Sequence, residues 1–75
     1  MNLCDTMIHI NETLDSAARN TLEEQLRKVP GVIAPRFAPG KEHLLLISYN
    51  STQTDTHTLL ETVRQPGYNA QLVGL

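Results

Sequence analysis

Cys4, Met7, His9, His43 and His57 are the side chains of this sequence best suited to soft or borderline metal ions, and Asp15 adds a hard oxygen donor. The first three lie close together in "CDTMIH". In an extended strand successive side chains alternate between faces, so Cys4 and His9, an odd number apart, point to opposite sides and cannot share an ion within one chain. Met7 and His9 do share a side, and two such pairs meeting in a dimer could hold a soft ion. Cys4, Met7 and His9 are thus the candidate ligands should the chain bind copper or zinc; an exposed strand histidine is the simpler account of His9, and surface placement accounts for His57. Enzymatic chemistry finds less. There is no Gly-rich phosphate loop, paired His ligand motif or nucleophile elbow, and a two-layer chain this short has little room for a water-excluding pocket. We expect no catalysis and no resident cofactor.

The 75 residues suffice for a single domain, 1–75, with one small core, since a chain of this size buries only about 60% of its unfolded surface. With 40% apolar and 19% charged residues and both signs mixed, the composition is globular. A formal net charge of −2, no basic cluster, and Phe37, Tyr49 and Tyr68 as the only aromatics argue against nucleic acid as a partner. "MNLCDTMIHI" has no basic segment leading into an apolar one, and no run approaches the ~20 apolar residues of a membrane span. We expect a cytoplasmic protein without membrane insertion; a lone cysteine, which cannot form an internal disulfide, fits a reducing compartment.

Six short elements must position these side chains. "TMIHIN" is strand-like, with Ile8 and Ile10 toward the core. Ala18, Leu22, Leu26 and Val29 then follow a helical period, ended by "VPGV", where Pro30 cannot continue the helix and Gly31 allows a tight exit. On the polar face Glu23 and Arg27, and Glu24 and Lys28, stand at i,i+4, each pair worth about 0.2–0.5 kcal/mol. "IAPRFA" and "HLLLISYN" flank the turn "PGKE" as a hairpin, and Pro35 assigns the first of these strands to a sheet edge. A second helix, capped by Asp55, carries Leu59, Leu60 and Val63 to a stop near Pro66 and Gly67, and "NAQLVGL" supplies a last strand. The order βαββαβ, with right-handed crossovers, predicts an α+β ferredoxin-like sandwich: a four-stranded antiparallel sheet with two helices on one face.

At "LRKVPGV", "SYN" and "PGYNA" the chain resembles the heavy-metal-associated domain family of small copper chaperones and metal-pump modules. Pro30, Gly31 and Val32, Tyr49 and Asn50, and Gly67 and Tyr68 occupy the places of that family's turn and strand-end motifs. Its diagnostic motif, Gly-Met-Thr-Cys-x-x-Cys, lies between the first strand and first helix. Counting back from Val32, the matching residues run from Glu12 to Ala18, so the two cysteine positions are Asp15 and Ala18. Two soft thiolates hold Cu(I) in such loops, whereas a carboxylate and a methyl offer one hard oxygen. Asp15 reads instead as a helix cap, worth roughly 1 kcal/mol with its dipole contribution.

"EHLLLISYN" carries the remaining signal. If Leu45, Ile47 and Tyr49 face the helices, as the resemblance implies for the tyrosine, Leu44 and Leu46 project from the open side of the sheet beside Met7 and His9. A solvated antiparallel face is ordinarily polar. Met7, His9, Leu44 and Leu46 are therefore the candidate interface, for a second copy of the chain or for another protein, such as a metal-handling one. Two functions stand open: a non-catalytic binding or assembly module that has lost its thiolate loop, and a small metal-handling protein binding copper or zinc through Cys4, Met7 or histidine.

Overall fold

The computed structural model describes residues 2–74. Its elements are β1 (Leu3–Ile10), α1 (Ser16–Arg27), β2 (Val32–Ala38), β3 (Lys41–Asn50), α2 (Thr56–Arg64) and β4 (Ala70–Val73). They form one antiparallel sheet in the order β2-β3-β1-β4. This is the expected βαββαβ sandwich.

Alternation along the two central strands builds the core. Ile8 and Ile10 of β1 and Leu45 and Ile47 of β3 are almost fully buried, as are Leu26 of α1 and Leu59 and Val63 of α2. Each such side chain contributes roughly 1.5–3 kcal/mol relative to exposure. Tyr49 lies on the same face, buried, and Ala18 and Val29 pack against this cluster, although Val29 follows the end of α1 rather than belonging to it.

Local chemistry sets the boundaries. Asp15 and Asp55 are the N-caps, their carboxylates accepting from the Ala18 and Thr58 amides at 2.8 Å each. Pro35 lies on the edge strand β2, as anticipated, with its ring buried opposite Ile47. The hairpin turn is tighter than "PGKE": Pro39 and Gly40 suffice, because Gly40 takes a φ of 71°, and Lys41 and Glu42 join β3. β1 begins earlier than its apolar pattern suggests, since the ten-residue β3 offers paired positions as far as Leu3 opposite Asn50. The helix pairs Glu23–Arg27 and Glu24–Lys28 do not form. Lys28 lies beyond the last helical residue as the C-cap, exposed pairs gain little, and the ion pair found among the described residues is Glu61–Arg64 at 4.0 Å.

Candidate functional site

The connection from β1 to α1 is held at both ends. Leu14 is buried in the core, its carbonyl accepts a hydrogen bond from the Arg19 guanidinium, and Asp15 closes the first turn of α1. Nearer the β1 end, the Glu12 carboxylate accepts from the Asn69 backbone amide at 2.9 and 3.1 Å and from its side-chain amide at 2.9 Å. Asn11 donates to the Asn69 carbonyl at 2.8 Å. The β1–α1 and α2–β4 connections are thereby clamped together. Desolvation acts to raise the Glu12 pKa, but hydrogen bonds from Asn69 and from its own backbone amide together outweigh it and hold the carboxyl below its ordinary value.

Neither position that the resemblance assigns to a thiolate carries a metal donor free for the purpose. Asp15 is exposed, with one carboxylate oxygen engaged by the Ala18 amide, and Ala18 is partly buried against the core. The chain's cysteine is far away. Cys4 stands six residues before Ile10, about 20 Å along the strand, opposite Tyr49 and packed against the core on the helix side of the sheet. It does not meet His9, as strand alternation requires. Among the described residues no three His, Cys, Asp or Glu side chains gather as a metal group.

The register places the four interface candidates together. Met7 is paired with Leu46 on one side and Val73 on the other, and His9 with Leu44 and Gln71. Met7, Leu44, Leu46 and Val73 are each half-buried, because cross-strand neighbours shield one another on the pleated surface. Asp5 and Ser48 form the next row, where the Ser48 hydroxyl donates to the Asp5 carboxylate at 2.6 Å, and Arg36 borders Leu46 at the β2 edge. The open face is thus an apolar strip with polar flanks. Val73 was not among the expected members, although its parity with Gln71 would have placed it there once β4 was paired with β1.

His43 is the more instructive omission. Alternation from Leu45 sends it to the helix side, away from His9, yet the two rings lie 5.7 Å apart between centroids and within 17° of parallel. Pairing of β1 with β3 ends at His9 and Leu44, so His43 sits just past the last paired position. Its side chain is turned across the end of β1, where Nδ1 donates to the Ile10 carbonyl at 2.7 Å. His57, by contrast, is an exposed residue of the first turn of α2.

No family model and no curated protein sequence matches the chain. Solved structures do. The copper-binding domain of HMA7, a P-type ATPase, superposes with a TM-score of 0.82 at 16% identity, covering 93% of this chain and 93% of that one. Oxidized MerP from Ralstonia metallidurans gives 0.81 at 15% identity, over 95% and 97%. The N-terminal domain of a potential copper-translocating P-type ATPase from Bacillus subtilis, in its Cu(I)-loaded state, gives 0.80 at 25% identity, over 91% and 84%. The structural neighbours are heavy-metal-associated domains, and the ferredoxin-like fold is common to all of them.

Proposed function

We propose that this chain is a non-catalytic binding and assembly module built on the heavy-metal-associated sandwich, with its thiolate loop lost and its contacts made through the open sheet face. The observation that carries the proposal is the state of the β1–α1 connection. Asp15 caps a helix and Ala18 packs against the core, at the two places where the resemblance assigns soft ligands. A single hard carboxylate, already hydrogen-bonded, does not replace two thiolates for Cu(I). What the module retains is a surface. Met7, Leu44 and Leu46, with Val73 beside them, form an apolar strip on a sheet face that antiparallel proteins usually keep polar.

The occupant we favour is a second copy of the chain, because one patch meeting itself closes a symmetric dimer without further surfaces. A metal-handling protein is the other partner that the structural neighbours suggest. None of the helices is long and apolar enough to cross a membrane among the described residues, and a cytoplasmic setting suits the lone cysteine.

Competition for Cu(I) tests the loop directly. Reduced monomeric protein is expected to leave Cu(I) with a moderately strong chelator, and stoichiometric retention by the parent would refute the proposal. Asp15→Cys combined with Ala18→Cys should create Cu(I) competence. A folded double variant that still fails to bind would show that these positions do not correspond to the thiolate sites.

A further inference from the structure

Two charged side chains of opposite sign border the apolar strip of the open face. Arg36 stands on the edge strand β2 opposite Leu46, and Asp5 stands on β1 two residues before Met7, in the row of Ser48. Both are exposed. Neither belongs to an ion pair among the described residues. The Arg36 guanidinium reaches the Ala34 carbonyl at 3.4 Å, and Asp5 accepts from the Ser48 hydroxyl through Oδ1, so each keeps its charge uncompensated. A second copy laid on the strip takes both charges out of water, and a desolvated charge is tolerated where an opposite one meets it. In a twofold dimer a contact between two different residues occurs twice, so a contact of Arg36 with Asp5 neutralises all four charges.

We propose that two copies of the chain assemble with Arg36 of each against Asp5 of the other. This rests on assembly through the open face and adds its register. A twofold axis lying between the sheets is fixed by the two positions it exchanges, so the places to which it sends the other side chains are an independent check. On a flat grid, strands lie about 4.8 Å apart and same-face side chains about 6.8 Å apart along each strand. Arg36, Leu46, Met7 and Val73 then form one row, with Asp5 one step away from it along β1 and Leu44 and His9 one step the other way. The axis that exchanges Arg36 with Asp5 brings Met7 beside the second copy's Leu46, Leu44 over its Val73 and His9 beside its Gln71. Apolar groups meet apolar groups, and both charges meet their opposites. The strands of the two sheets cross at about 70° on this grid, nearer the orthogonal than the aligned class of sheet packing. An axis parallel to the strands through the same strip would instead set Arg36 against Val73 and Asp5 against Ser48, with no counter-charge for either.

Sedimentation equilibrium on the reduced chain reads this register through charge. The parent dimer should weaken as salt is raised, since its ion pairs are screened. Asp5→Arg and Arg36→Asp each set like charges opposite one another at two places, and each should raise the dimer dissociation constant at least tenfold or so, roughly the lower end of what such juxtapositions cost. Mixed in equal amounts, these two variants should associate with each other as the parent does with itself, because every such contact is again between opposite charges. Asp5→Asn keeps the acceptor for Ser48 and drops only the charge, so it should weaken the dimer and blunt its salt dependence even if Asp5→Arg fails to fold. A parent dimer indifferent to salt and to the charge variants, or a mixture no tighter than its separate variants, would overturn this register while leaving assembly through the open face intact. A parent monomeric at every concentration would remove that assembly and this register with it.

Discussion

Asp15 acts at the start of α1 through a single hydrogen bond, Ala18 N–H to Oδ1 at 2.8 Å. Asp15→Ala is accordingly expected to lower stability by about 0.5–2 kcal/mol in chemical denaturation, and Asp15→Asn, which keeps the acceptor, by less. Full stability in both variants together with loss of a bound ligand would make Asp15 a site residue instead. Glu12 carries a pH dependence. Its folded pKa lies below the ordinary value of 4.5, so its contribution is complete above the unfolded pKa and is lost as the pH falls through the lower folded one. Thermal melts from neutral pH down through this window should show a shallower acid limb for Glu12→Gln than for the parent. Parallel curves would mean that the clamp to Asn69 adds no stability. Both caps were legible in the sequence because capping is decided within three residues. The Glu12–Asn69 clamp was not, since its partners are 57 positions apart, and the His9–His43 pair was hidden because alternation holds only where a strand is paired.

At the scale of elements, the order of strands and helices followed from punctuation and period, and the errors fell at ends. β3 begins at Lys41 because a two-residue turn is enough, and β1 reaches Leu3 because its partner is long; neither cause is local to the residues concerned. Gly31 shows a tertiary demand on a turn residue. It has a φ of 96°, and a Cβ there would lie 2.8 Å from Gln53 Cβ, whereas Gly40, with a φ of 71°, has open space around it. Gly40→Ala should cost the backbone strain alone, about 1–3 kcal/mol. Gly31→Ala should cost clearly more, because the strain and the overlap with the β3–α2 connection add. Equal losses in urea unfolding would show that this connection moves aside freely.

Taken whole, the molecule presents two faces of different character. Its helix-covered face is explained by the core, and the expectation that Leu45, Ile47 and Tyr49 point inward holds, with all three buried. Its open face has an apolar strip that no element among the described residues covers, formed where Leu44 and Leu46 of β3 meet Met7 of β1. The pairing of these residues was readable once the strand order was known; what docks on them is a property of a second molecule and is not written in this one. Sedimentation of the parent over a concentration series, beside Leu44→Glu with Leu46→Glu, tests the open face most directly. We expect a parent dimer that dissociates on dilution and a folded double variant that stays monomeric at every concentration. A parent that is monomeric even at high concentration, with a double variant of equal solubility, would contradict assembly through this face.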